Sequence, residues 1–235
     1  RGRVMKVGIM GAMDVEVEHL VSELEEDQPF EHFGRVFHVG VLHGVPAVVV
    51  MCGDGKVNAA LCAQTLIDRF GVTCIINTGI AGSLDNRINI GDLVVSTDAL
   101  HHDADLTPLG YEPGFIPSLD TVAFAADDEL RELVVRVAHE AAPEIGVYEG
   151  RVASGDQFIS SVEQKHRIVE TFGAICAEME GAAIGHVCHL ARIPFVIIRV
   201  ISDKADEPAS VDYPTFKQEA ALHCSQIVEH VISQL

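Results

Sequence analysis

Ala177-Glu178-Met179-Glu180-Gly181-Ala182-Ala183 sets two carboxylates around a methionine, where an apolar run stops and a run of small residues begins. Residues 174–177 read as a short buried strand and residues 179–191 as a helix. A second apolar run at 195–201 ends in Ser202-Asp203. Strand, helix, strand is the repeating unit of an α/β sheet. Acids at the carboxyl ends of its strands stand where such sheets bind ligands. A buried carboxylate without a partner is costly, so Glu178, Glu180 and Asp203 are expected to be paired or functional. Arg199, four residues before Asp203, is the obvious structural partner for that acid.

The alternation continues outward from this stretch. Toward the N-terminus the pattern predicts a strand at 6–10 and a helix at 14–25, with Val17, Leu20, Val21 and Leu24 on one face. Strands follow at 36–42 and 46–51, joined at His43-Gly44, then a helix at 56–70 and strands at 72–76 and 92–99. Residues 101–125 carry Pro108, Gly110, Pro113, Gly114 and Pro117 and read as an irregular, functional stretch. A helix capped by Asp127 runs to 141, a strand spans 147–154, a helix 162–172, and a closing helix 213–233. There is no repeat, low-complexity tract or linker, so residues 5–235 are expected to form one α/β domain with a mostly parallel or mixed central sheet. Arg1-Gly2-Arg3-Val4 is set aside as an N-terminal extension or cloning remnant.

Composition narrows the function classes. The 235 residues, 48% of them hydrophobic, suffice for one full core. Lys plus Arg number 16 and Asp plus Glu 35, giving 16 − 35 = −19 without any basic block. Such a chain is not suited to grip a nucleic-acid backbone, which needs clustered cations. No apolar run approaches the roughly 18–20 residues that span a bilayer, and no secretory leader is visible. The six cysteines form no CxxC pair and read as reduced core residues, which points to the cytoplasm. The expected partner is a small molecule.

Several motifs fall short of what they suggest. Gly8-Ile9-Met10-Gly11-Ala12-Met13 is not a dinucleotide fingerprint, and Gly53-Asp54-Gly55-Lys56 lacks the spacing of a phosphate loop. His101 and His102 point to opposite faces if in a strand, and His186 and His189 find no third ligand, so no metal is expected. Glu16, in a first helical turn, is either a dipole-favoured cap or a functional acid. Phe158, in the turn Ser154-Gly155-Asp156-Gln157-Phe158-Ile159, is either a core aromatic or a flat surface for a planar ligand.

Taken together, Gly8 to Met13 with Glu16, Asn77-Thr78-Gly79, His102-Asp103-Ala104-Asp105, Ser154-Gly155-Asp156, Glu178-Met179-Glu180 and Ser202-Asp203 resemble the bacterial 5′-methylthioadenosine/S-adenosylhomocysteine nucleosidases. The resemblance runs from Met5 to the C-terminus. It implies a single nucleoside-phosphorylase-like domain with a mixed, barrel-like sheet, active as a homodimer without metal or organic cofactor. It implies that Glu16 activates the attacking water and that Asp203 protonates adenine N7. Phe158 then stacks on adenine, the main chain of Ile159 reads the purine edge, and Glu180 holds the ribose hydroxyls with Met179 against the sugar. Arg199 falls near the water, Tyr213 near the 5′ substituent, and Met13 and Ile80 among the substrate contacts. Leu109 and Pro117 fall in the segment that a partner subunit lends to the pocket. Two positions depart from the family: Ile80 stands where serine is frequent, and Asp54 where an apolar residue is expected near the 5′ group. The rival readings are a phosphorylase of the same fold, a 6-amino-6-deoxyfutalosine hydrolase, and a non-catalytic adenosine-binding protein.

Overall fold

A computed structural model describes residues 4–206 and 208–235; the first three residues of the proposed extension lie outside them. In chain order the strands are β1 (Val7–Gly11), β2 (Glu25–His32), β3 (Arg35–Leu42), β4 (Val45–Met51), β5 (Cys74–Ser83), β6 (Leu93–His101), β7 (Ala123–Ala125), β8 (Val147–Ser154), β9 (Cys176–Glu178) and β10 (Phe195–Asp203). The helices are α1 (Asp14–Ser22), α2 (Lys56–Asp68), α3 (Asp128–Ala141), α4 (Val162–Phe172), α5 (Gly181–Ala191) and α6 (Ala209–Ile232).

Five strands close on themselves in the order β10-β6-β8-β9-β5, because β5 also pairs with β10. From β5 the sheet continues outward through β1, β4, β3 and β2. The strands β4, β1, β5 and β10 run parallel to their neighbours in that series, so their carboxyl ends emerge on one side. Helices α1, α3 and α6 cover one face with Leu20, Val134 and Val228. Helices α2 and α5 cover the other with Leu66, Ile184 and Cys188. All six cysteines are buried and unbridged.

The mixed sheet, the barrel and the helix-covered faces agree with the expected fold class, with three local corrections. The helix expected to reach residue 25 stops at Ser22, and residues 25–32 form a strand. That strand is almost wholly exposed and lies at the edge of the sheet, where its Pro29 costs no central ladder bond. It has no buried face, so alternation could not reveal it. Strand β5 extends to Ser83 rather than stopping at residue 76, and every residue in it is buried. Helix α6 starts at Ala209, four residues before the expected start at Tyr213, and carries Pro214 inside its second turn. Proline normally marks a helix start; here the helix runs through it at the expense of one backbone hydrogen bond.

Candidate active site

The carboxyl ends of β1, β4, β5, β9 and β10 surround one cavity of about 460 Å³, part of it open to solvent. Its walls include Met13, Glu16, Ile80, Phe158, Met179, Glu180, Arg199, Asp203 and Tyr213. Thus nine of the ten residues expected to catalyse or bind substrate meet in one place. The tenth, Ile159, turns its side chain into a small cluster with Leu84 and Ile168. Its main chain, the part to which a role was assigned, carries no hydrogen bond among the described residues.

Glu16 enters the cavity from the first turn of α1. One carboxylate oxygen accepts the Ala12 and Met13 N–H groups at 2.6 and 3.0 Å, and the other accepts the Ile80 N–H at 3.1 Å. This acid thus caps a helix and also lines the cavity. Burial pushes its pKa up, opposed by the Arg199 guanidinium and the three amides. Ile80 supplies this contact through its backbone, so the missing hydroxyl at that position leaves the anchoring of Glu16 intact.

Arg199 is buried at the centre of the acids. It is bound to Glu178 rather than to Asp203, so the i, i+4 pair suggested by spacing does not form. In a strand those two residues lie about 13 Å apart along the chain. Arg199 also donates to Asn77 Oδ1 at 2.5 Å and to the Ile80 C=O at 3.1 Å, and lies 4.0 Å from Glu16 and 3.7 Å from Glu180. Burial alone would lower its pKa, but the three glutamates outweigh that and hold it charged. Gly79 makes this packing possible: a Cβ there would stand 2.5 Å from Arg199 Nη1 and 2.7 Å from Glu16 Oε1. Arg199→Met should cost about 3–5 kcal/mol in urea unfolding, because it strands buried carboxylates without a counter-charge.

Glu178 and Glu180 both line the cavity but are held by different partners. Glu178 is structural: it binds Arg199 and Ser154 Oγ and accepts the Gly181 N–H at 2.7 Å, at the N-terminus of α5. Glu180 faces the cavity, anchored by the Gly55 N–H at 2.9 Å. Burial raises its pKa, with Arg199 opposing. Asp203 ends β10, where its carboxylate accepts the Ala205 N–H and the Ser202 hydroxyl, each at 2.9 Å. Burial again raises its pKa against those two bonds, and Asp212 and Asp206 add to the rise. A Cβ on Gly82 would approach Asp203 Oδ1 to 2.8 Å.

Phe158 is 44% exposed and contacts Tyr213 edge-on, with ring centroids 5.4 Å apart. That exposure excludes the core reading. Asn77 and Ser154 were not assigned a role from sequence; the signal was a polar side chain in or ending an otherwise buried strand. Leu109 and Pro117 are exposed and lie outside the cavity of their own chain. His101 meets His186, with 3.3 Å between ring nitrogens, and Asp103 is taken by Lys56. Among the described residues no group of three or more His, Cys, Asp or Glu is arranged to hold a metal ion.

The family model of the phosphorylase superfamily matches residues 6–233. A 5′-methylthioadenosine/S-adenosylhomocysteine nucleosidase of Desulfotalea psychrophila is 42% identical, over 98% of each chain. The chain belongs to this nucleosidase family. A solved nucleosidase of Neisseria meningitidis, in complex with methylthio-immucillin-A, superposes with a TM-score of 0.95 at 36% identity, covering 99% of this chain and 100% of that one. A futalosine hydrolase of Helicobacter pylori superposes with a TM-score of 0.94 at 34% identity, covering 99% of each chain. Fold and acidic cavity thus sit within a nucleosidase family that also has futalosine hydrolase among its structural neighbours.

Proposed function

We propose that the protein hydrolyses the N-glycosidic bond of 5′-thio-substituted adenosines, 5′-methylthioadenosine and S-adenosylhomocysteine, to adenine and the thioribose. One observation carries this reading: Glu16 and Asp203, each with a raised pKa, face a common cavity with Glu180. Breaking this bond builds positive charge on the ribose and negative charge on the purine. Asp203 delivers a proton to N7 of the departing adenine. Glu16 takes a proton from water as its oxygen bonds to the anomeric carbon. The carboxylates of Glu16 and Glu180 also oppose the positive charge on the sugar. Phe158 stacks on the base, the Ile159 main chain reads its edge, Glu180 holds the ribose hydroxyls against Met179, and Met13, Ile80 and Tyr213 enclose the sugar and 5′ group.

Phosphate is a poor fit as nucleophile, since Arg199 is already neutralised by Glu178 and lies beside Glu16. The second subunit of a homodimer covers the 5′ end with its Leu109 and Pro117, both exposed here. We place the enzyme in the cytoplasm, where six unbridged cysteines stay reduced. Among the described residues no helix is long and apolar enough to cross a membrane.

Purified protein should release adenine from 5′-methylthioadenosine without added phosphate or metal, followed by chromatography. Adenine from 6-amino-6-deoxyfutalosine alone would redirect the reading to that hydrolase. Release of a sugar 1-phosphate, only when phosphate is present, would replace hydrolysis with phosphorolysis.

A further inference from the structure

The geometry points to Asp54 as a specificity residue that favours 5′-thio substituents ending in a protonated amine; this rests on the hydrolase reading above. Asp54 lines the cavity beside the Met13 and Tyr213 walls. Its backbone is fixed on both sides. Gly53 N–H donates to the Ala12 C=O at 3.0 Å, Gly55 N–H donates to Glu180, and the Asp54 C=O accepts Asn58 Nδ2 at 2.7 Å. Gly53 and Gly55 hold φ of 87° and 91°, a turn that glycine makes without strain.

The Asp54 carboxylate itself makes no hydrogen bond or ion pair among the described residues. The cations nearest in sequence and across the turn are engaged elsewhere: Lys56 with Asp103 at 2.6 Å, and Arg35 with Asn58 at 3.1 Å. Gly55 anchors Glu180, so Asp54 adjoins the acid assigned above to the ribose hydroxyls. The part of the nucleoside that extends from the ribose along this wall is the 5′ substituent. The Tyr213 phenol, whose hydroxyl lies 3.2 Å from Met13 Sδ, is pushed up to about 12 by burial and then by Glu16 and Asp54. That wall is thus both apolar and negatively charged. A bare alkylthio group there desolvates a carboxylate without replacing its water, whereas an ammonium forms a charge-assisted hydrogen bond. Preference arises from both the attraction and the penalty.

The test compares 5′-(2-aminoethylthio)adenosine with 5′-propylthioadenosine, which have the same number of heavy atoms and differ in charge. The ratio of their kcat/KM values should be at least about 10-fold higher in wild type than in Asp54→Asn at low salt. It should fall toward the Asp54→Asn value at 1 M salt, where exposed charges are screened, and Asp54→Glu should retain the preference. Equal ratios in wild type and Asp54→Asn at both salt concentrations, with adenine still released, would overturn the role of Asp54 and leave the hydrolase intact. No adenine from either compound or from 5′-methylthioadenosine would remove the hydrolase reading, and this inference with it.

Discussion

Asp203→Asn is expected to lower kcat for adenine release by about 10²–10⁴-fold while changing substrate affinity only a few-fold. Asparagine keeps the shape of the side chain and an oxygen that can accept the Ala205 N–H, so the end of β10 should hold its course. What disappears is the transferable proton. The sign of the pH effect follows from the environment. Asp203 has to be protonated to act, and burial raises its pKa, so the active form persists to higher pH than for an ordinary aspartate. Activity should therefore fall as pH rises through that pKa, giving the alkaline limb of kcat/KM. In Asp203→Asn the residual rate should lack that limb. A variant with near-wild-type turnover, or with the same alkaline limb, would mean that another group protonates the purine. Affinity can be read from equilibrium binding of the substrate to the slow variant.

The site was more legible in the sequence than the sheet around it. Carboxylates at the ends of apolar runs carry a large free-energy cost unless they are paired or used, so Glu178, Glu180 and Asp203 stood out at once. Which of them was structural did not. Glu178 and Arg199 are 21 residues apart in sequence, and only the barrel closure, β5 against β10 with β9 across it, brings their strand ends together. Spacing along one strand suggested Asp203 as the partner instead. The same limit hid β2, whose exposed polar residues carry no periodic signal, and shortened β5. There Asn77, Thr78 and Gly79 look like a turn after an apolar run. They remain strand because β10 pairs alongside them and because Arg199 and Glu16 occupy the space that a side chain on Gly79 would need.

Glu16→Gln should also reduce kcat for adenine release by about 10²–10⁴-fold, and for the opposite proton movement. Glu16 has to be ionised to take a proton from water. Its pKa is raised by burial, so activity should decline as pH falls through a value above that of an ordinary glutamate, giving the acidic limb. Burial raises the pKa of both acids, so the proposed roles rest on the contacts in which the two differ. Glu16 has Arg199 and three amide N–H groups supporting its charge, whereas Asp203 has two hydrogen bonds and the neighbouring charges of Asp206 and Asp212 working against ionisation. Those lesser contacts favour the ionised form more at Glu16 than at Asp203, which is the order a base and an acid working at one pH require. The glutamine variant also separates catalysis from stability. It removes a buried charge yet leaves Arg199 bound to Glu178 and close to Glu180. Its oxygen can still accept from the Ala12 and Met13 amides. The unfolding midpoint in urea should therefore move much less than for Arg199→Met, while turnover collapses. If stability fell as far as in Arg199→Met and the surviving folded fraction turned over normally, Glu16 would be a helix cap and nothing more. If turnover collapsed with the fold intact and the acidic limb gone, the water-activating base is Glu16.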